Sequence, residues 1–269
     1  MGIPYAEVIG DPVAHSKSPA IHKFWLGKLG MEGDYRQTRV TSQDLGRHLQ
    51  ERRRDPDWTG CNVTLPHKVD VIGLLDGLFP EAKAVGAVNL VMNHKGSLLG
   101  ANGDLRGFAE PFRSQYPDRG TVALIGAGGA ARAAFVALAG LNFDIVHVAN
   151  RTPGHAEAML RSLHQKGLAA RSLDDRIPAV DLLVNASALG TPGNDFEFDL
   201  RALPAHAIVY DIVYAPLETP LLAAARSRGL RTIDGLSMLI GQAAVAFVHF
   251  FDGTPPREHD AELRELLTR

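Results

Sequence analysis

Residues Thr121–Ala133 read TVALIGAGGAARA, and this stretch decides the fold. Thr121 to Ile125 is a short apolar run suited to a buried strand. Gly126-Ala127-Gly128-Gly129-Ala130-Ala131 fits G-x-G-x-x-G/A with Ala131 in third place, and an alanine-rich helical pattern runs from about Ala130 to Ala139. A further strand pattern, Ile145 to Ala149, comes about 20 residues on, the context a dinucleotide-binding βαβ unit requires. Each small residue has a physical task. Gly126 permits the tight turn, Gly128 lets the backbone approach a pyrophosphate, and Ala131 lets the helix lie close to the sheet with its positive N-terminus toward the anion. An empty helix packed closely on a sheet would use the same small residues, so the residues after the second strand carry weight. They are Asn150-Arg151-Thr152. A carboxylate there would hold the ribose hydroxyls of NAD and repel a 2′-phosphate. Arg151 can instead pair with that phosphate and Thr152 can add a hydroxyl donor, so the cofactor expected is NADP (NADPH).

Outward from this core, apolar β-rich runs alternate with helical patterns, which argues for an α/β fold with parallel strands. Strands are predicted at Tyr5–Ile9, Tyr35–Val40, Trp58–Val63, Ala179–Val184, Ile208–Ile212 and Arg231–Ile233, with a hairpin of Ala87–Met92 and Ser97–Ala101. Helices are predicted from Ser18 (N-cap) and Pro19 (N1) to Leu29, from Ser42 to Arg53, from Pro66 to Leu75, from Pro220 to Ser227 and from Leu236 to Phe251. A further helix is expected after Asp104, and a turn at Asp118-Arg119-Gly120. At about 150 residues per domain, 269 residues suggest two domains.

Composition narrows the function. Thirty acidic against 28 basic residues leave a net charge of −2, no field to condense on a phosphate backbone, so nucleic acid is not the expected partner. The single cysteine, Cys61, excludes a disulfide framework and any multi-cysteine metal site. Eleven histidines occur without an H-E-x-x-H pattern, and no metal is expected. No run of about 18 apolar residues is present for a membrane span, and the N-terminus lacks the pattern of a secretory signal. A soluble protein of the cytoplasm acting on a small molecule, with no membrane partner, is the expectation.

Three further segments carry chemistry. In Asn62-Val63-Thr64-Leu65-Pro66-His67-Lys68, Asn62 and Thr64 stand at period two on a strand end and point the same way. Lys68 falls in the first turn of the predicted Pro66 helix, where a cation opposes the dipole, a placement that suggests an anion or a function. Asp104, in Asn102-Gly103-Asp104, stands at a helix start, where an acid also serves as a cap. His15-Ser16-Lys17-Ser18-Pro19 brings two hydroxyls to the start of a helix, where hydroxyls and backbone N–H groups can hold a small carboxylate; a plain N-cap is the alternative.

With these segments in hand, the chain resembles the shikimate dehydrogenase family over nearly its whole length. The strings that carry the resemblance are HSKSP (15–19), NVTLPHK (62–68), GAVN (86–89), GAGGAARA (126–133), NRT (150–152), NASALG (185–190), DIVYAPLETPLL (211–222) and GLSMLIGQA (235–243), in the family's order. The resemblance implies reversible reduction of 3-dehydroshikimate by NADPH to shikimate, in aromatic amino-acid biosynthesis. It implies a substrate domain from 1–104 and 236–269, a Rossmann-like nucleotide domain from 105–235, and a cleft between them. Carried over by position, Ser16 and Ser18 would bind the substrate carboxylate, and Asn62, Thr64, Asn89 and Gln242 the ring hydroxyls, with Tyr214 beside them. Lys68 and Asp104 would be the catalytic pair. Gly126, Ala127, Gly128, Gly129, Ala130, Asn150, Arg151, Thr152, Ile212 and Gly235 would contact the cofactor.

The pair makes chemical sense without the name. Hydride delivery to a ketone puts negative charge on its oxygen, a cationic Lys68 can stabilise that charge and deliver a proton, and Asp104 can orient the ammonium. Either member can be the formal acid/base. Where the family usually has Asn-Thr-Asp, this chain has Asn102-Gly103-Asp104, and Gly103 is expected to loosen the backbone beside the acid. Two other functions are consistent with the motifs: a quinate/shikimate dehydrogenase using NAD, against which Arg151 argues, and a non-catalytic nucleotide- and ligand-binding relative, against which Lys68 with Asp104 argues. Either a monomer or a homodimer is compatible with the sequence.

Overall fold

The structure is a computed structural model that describes residues 2–113 and 119–269; Asp118 of the predicted turn lies outside the described residues. Among the described residues the strands, in chain order, are β1 (Tyr5–Gly10), β2 (Asp34–Arg39), β3 (Trp58–Val63), β4 (Gly77–Leu78), β5 (Leu90–His94), β6 (Ser97–Ala101), β7 (Gly120–Ile125), β8 (Phe143–Ala149), β9 (Ala170–Arg171), β10 (Leu182–Asn185), β11 (Ile208–Asp211) and β12 (Arg231–Ile233). The α-helices are α1 (Ser18–Leu29), α2 (Leu45–Arg52), α3 (Pro80–Val85), α4 (Asp104–Ala109), α5 (Gly129–Gly140), α6 (Pro153–Ser162), α7 (Pro220–Ser227), α8 (Gly235–Phe251) and α9 (Asp260–Thr268). The chain divides into two compact units. One runs to Gly103 and takes back Ile240–Arg269; the other is Asp104–Leu239.

The first unit is built on a mixed sheet of order β2-β1-β3-β5-β6-β4. β1 lies parallel between β2 and β3 and is buried at all six positions, as a strand covered on both faces must be. Its one charge, Glu7, is fully buried. Burial raises its pKa, but hydrogen bonds from His48, Arg52 and Thr38 outweigh that and bring it down to about 2; Arg52 Nε donates at 2.8 Å and His48 Nε2 lies at 3.1 Å. The ion pair thus tethers α2 to the central strand. Helix α1 carries proline in its first turn and ends at Gly30 in the left-handed conformation (φ 61°), the asymmetry expected of helix ends. The predicted hairpin forms as antiparallel β5 and β6, but its first strand is Leu90–His94 rather than Ala87–Met92, because pairing of His94 with Ser97 leaves only Lys95 and Gly96, both at positive φ, as a two-residue turn of type I′ requires.

The second unit holds a wholly parallel sheet, β12-β11-β10-β7-β8-β9. Read from β9 this is the order 3-2-1-4-5-6, the doubly wound nucleotide-binding arrangement. Helix α5 buries Ala131, Ala134 and Leu138 in a core with Val122, Leu124, Val184 and Phe108. Its alanines let helix and sheet approach closely. Because the connections leave β7 toward β8 on one side and β10 on the other, its carboxyl end is the topological switch point, where such sheets bind ligands.

Several local expectations are corrected. No α-helix begins at Pro66: residues 65–69 form a turn and a 3₁₀ helix covers Asp70–Leu74. The chain is held in that turn by its own long-range bonds. Asp11 N donates to Leu65 O at 3.0 Å, Val88 N donates to Lys68 O at 2.7 Å, and buried His67 reaches Val40 O at 2.6 Å. The dipole argument for Lys68 therefore falls. The N-cap of α1 is Lys17 rather than Ser18. Helix α2 starts three residues later than predicted, because Thr41 and Asp44 satisfy one another in a preceding turn. β10 starts at Leu182 rather than Ala179, since Asp181 is engaged by the backbone N–H and hydroxyl of Thr121. Helices α3, α6 and α9 had no counterpart in the sequence prediction.

Candidate functional site

In the second unit the glycine turn sits at the carboxyl end of β7. Gly126 has φ 119°, and a Cβ there would lie 2.6 Å from the carbonyl oxygen of Ala186; its N–H donates to Ala149 O at 2.8 Å. The turn is thus wedged between the ends of β8 and β10, and only glycine fits. Gly128 differs. It is the N-cap of α5, extended (φ −81°, ψ −174°), with no side-chain cap, and a Cβ there would meet nothing within 4 Å. Uncapped N–H groups at a helix start beside open space form a cradle for an anion, so the residues present fit a pyrophosphate. Gly129 and Ala131 are buried, while Ala127 and Ala130 are half-buried. At the end of β8, Asn150 Nδ2 donates to Thr152 O at 2.9 Å, which shapes a short loop with exposed Arg151 and Thr152. Thr152 is the N-cap of α6, yet its hydroxyl makes no cap bond. A guanidinium and an uncommitted hydroxyl on one loop suit a phosphate monoester.

Beneath this end of the sheet lies a buried polar cluster. Asp211 Oδ1 accepts from Asn185 Nδ2 and from Val213 N, both at 3.0 Å, and Asp211 Oδ2 accepts from Thr219 Oγ1 at 2.7 Å. Asn185 Oδ1 in turn accepts from the Ser187 hydroxyl at 2.6 Å, and Thr219 caps α7. Burial pushes the Asp211 pKa up to about 6 despite these donors. One carboxyl group thereby fixes the chain after β10 and after β11, including Ile212, whose N–H donates to Asn185 O at 3.0 Å. Gly235 stands against the backbone carbonyls of Ile212 and Val213, with no room for a Cβ. Half-buried Tyr214 comes two residues after Ile212, its phenol pKa raised by burial. Asp104 is buried at the first position of α4.

In the first unit three of the predicted substrate residues, Asn62, Asn89 and Gln242, are joined by hydrogen bonds. Asn62, at the end of β3, donates from Nδ2 to Asn89 O at 3.1 Å and accepts at Oδ1 from Tyr35 Oη at 2.7 Å. Asn89 Oδ1 accepts from Gly103 N at 2.7 Å, and Asn89 Nδ2 donates to Gln242 Oε1 at 3.4 Å. Thr64, two residues beyond Asn62, is half-buried, as is Lys68, and Thr64 N donates to Ile9 O at 2.9 Å. Ser18 is buried at the first position of α1, while Ser16 Oγ accepts from Ser18 N at 3.3 Å. Gly103 is not loose. Its N–H is held by Asn89, the residue is buried, and a Cβ would meet Gln242 O at 3.3 Å and Val245 Cβ at 3.4 Å.

The sequence reading missed Tyr35 and the role of Asp211. Asp211 and Asn185 stand inside quoted motifs, but nothing local marks them as partners. Tyr35 reads as one more strand aromatic. Among the described residues no group of three or more His, Cys, Asp or Glu could hold a metal ion, and no helix is long and apolar enough to cross a membrane.

Comparison with known proteins gives concordant matches. Residues 8–91 match the family described as shikimate dehydrogenase substrate binding domain, and residues 113–193 the family described as shikimate / quinate 5-dehydrogenase. The shikimate dehydrogenase (NADP(+)) of Sphingopyxis alaskensis is 50% identical over 98% of this chain and 97% of its own length. That of Methylobacterium radiotolerans is 45% identical over 98% of this chain and 96% of its own. A crystal structure of shikimate 5-dehydrogenase from Thermus thermophilus, in complex with NADP(H) and shikimate, superimposes with a TM-score of 0.88 at 36% identity, covering 98% of this chain and all of that one.

Proposed function

The chain belongs to the shikimate dehydrogenase family, and from that premise we propose how its residues divide the work of the reaction. The protein is an NADP-dependent oxidoreductase acting on a CH–OH group, interconverting shikimate with NADP⁺ and 3-dehydroshikimate with NADPH and a proton. The observation that carries this is identity of 50% along essentially the whole chain.

When bound, the nicotinamide supplies reversible hydride transfer at the carbinol carbon. The N–H groups of Gly128, Gly129 and Ala130, with Gly126 and Ala127 shaping the turn, hold the pyrophosphate. Asn150, Arg151 and Thr152 hold the adenosine 2′-phosphate. Ile212 and Gly235 line the nicotinamide position. On the substrate side, Ser16 and Ser18 donate to the carboxylate, Asn62, Thr64, Asn89 and Gln242 bind ring hydroxyls, and Tyr214 contributes a phenol to the same ligand. Support comes from the hydrogen-bonded run Asn62–Asn89–Gln242, whose members approach one another from distant parts of the chain. Lys68, with Asp104, takes the hydroxyl proton as hydride leaves and returns it to the oxygen in reduction, stabilising the charge there in both directions. The family description that names quinate makes the substrate pair testable directly. Absorbance at 340 nm, crossing shikimate and quinate with NADP⁺ and NAD⁺, is expected to give the largest kcat/KM for shikimate with NADP⁺. A larger value for quinate with NAD⁺ overturns that specificity. We place the reaction in the cytoplasm, carried out by a monomer or homodimer.

A further inference from the structure

Tyr35, at the second position of β2, is fully buried, yet its hydroxyl reaches the substrate residues. Its ring is clamped. His22 of α1 stacks on it face to face, with centroids 4.1 Å apart and planes within 1°, and Phe250 of α8 packs at a tilt, 6.2 Å away. His22 has no hydrogen-bond partner on either ring nitrogen among the described residues. Burial depresses its pKa to about 3, so it is a neutral, flat platform. The stack holds the plane of the ring, and the hydroxyl lies 2.7 Å from Asn62 Oδ1.

The polarity of the contact is dictated by chemistry. The Asn89 carbonyl can only accept, so it takes the Nδ2 end of the Asn62 amide at 3.1 Å. The Oδ1 end then faces Tyr35, and the phenol must donate. Burial raises the Tyr35 pKa well above the ordinary value, which keeps that proton in place.

We propose that Tyr35 is a positioning residue of the substrate site: clamped by His22 and donating to Asn62 Oδ1, it locks the Asn62 amide so that an N–H, not a carbonyl, is presented to the ligand. At this place the site takes a substrate oxygen that accepts a hydrogen bond. The inference rests on the assignment of Asn62 to substrate binding. The test is a double-mutant cycle of Tyr35→Phe and Asn62→Ala, read by steady-state shikimate oxidation. Tyr35→Phe keeps the ring and its stack. It is expected to raise KM for shikimate about 3- to 10-fold, the equivalent of about one net hydrogen bond, with kcat within about twofold and KM for NADP⁺ unchanged. In the Asn62→Ala background the same change is expected to do nothing further. A Tyr35→Phe enzyme with wild-type KM, or effects of the two changes that multiply, overturns the positioning role and leaves Asn62 as a ligand. An Asn62→Ala enzyme with unchanged KM for shikimate removes the assignment beneath it. A merely structural role for Tyr35 would lower the melting temperature without the selective rise in KM.

Discussion

Alanine at Gly126 and alanine at Gly128, two residues apart in one turn, should have opposite consequences. At Gly126 the backbone is at φ 119°, a conformation that costs a residue with a Cβ about 1–3 kcal/mol. The added methyl would also stand 2.6 Å from Ala186 O and 2.8 Å from its carbonyl carbon. These are main-chain atoms at the end of a buried strand and cannot swing aside, so overpacking adds a further ~1–3 kcal/mol. A total of about 2–6 kcal/mol corresponds to a fall in Tm of roughly 4–24 °C for a chain of this size. At Gly128 the backbone is ordinary, and the methyl would project into open space. The stability of Gly128→Ala should stay within about 0.5 kcal/mol of wild type. What the methyl does occupy is the approach to the first N–H groups of α5. Hydrogen bonds to a charged group contribute about 1.5–3 kcal/mol, so the Kd for NADPH should rise about 10- to 100-fold. Thermal melts by circular dichroism without nucleotide, together with calorimetric titration of NADPH, read both effects. A Gly126→Ala protein that melts with wild type, or a Gly128→Ala protein that binds NADPH normally, would refute the assignment of one glycine to geometry and the other to the phosphate.

Replacing Lys68 by Ala should lower kcat by about 10²–10⁴-fold while calorimetry finds NADPH binding intact; undiminished turnover would take Lys68 out of the chemistry. Arg151→Ala should weaken NADPH about 10-fold or more and leave NADH nearly unaffected, so equal losses for both nucleotides would show that Arg151 does not read the 2′-phosphate. Asp211 gives a pH signature. Its folded pKa of about 6 stands above its ordinary value of 3.8, so the folded state holds the proton more tightly. Its contribution to stability is greatest below pH 3.8 and declines as pH rises through about 6, by ~3 kcal/mol in all. Urea unfolding across that range should show Asp211→Asn gaining on wild type as pH rises; parallel curves would contradict a neutral buried carboxyl.

How much was legible in the chain depends on how far each interaction reaches. Gly126 to Ala131, with a strand before and a strand after, declared the nucleotide-binding unit because a tight turn and a close helix are local demands on backbone space. The proline in the first turn of α1, its stop at Gly30 and the presence of a hairpin before Ser97 were equally local. Arg151 in place of an acid indicated NADP through charge alone. The Pro66 segment misled for the opposite reason. Its composition permits a helix, but bonds to Asp11, Val40 and Val88 win.

Eight motifs in order were enough to identify the family, and the fold and reaction came with it. The geometry that makes residues act together was not available at that level. Tyr35 meets Asn62 27 positions away, Asn89 meets Gln242 153 positions away, and Asp211 gathers Asn185 and Thr219 from separate segments. Gly103, which looked like a loss of rigidity, is pinned by Asn89 and packed near Gln242. Backbone propensity and charge are properties of neighbours in sequence and can be read there. The direction of a buried hydrogen bond depends on which group the folded chain brings opposite, and only the tertiary structure decides that.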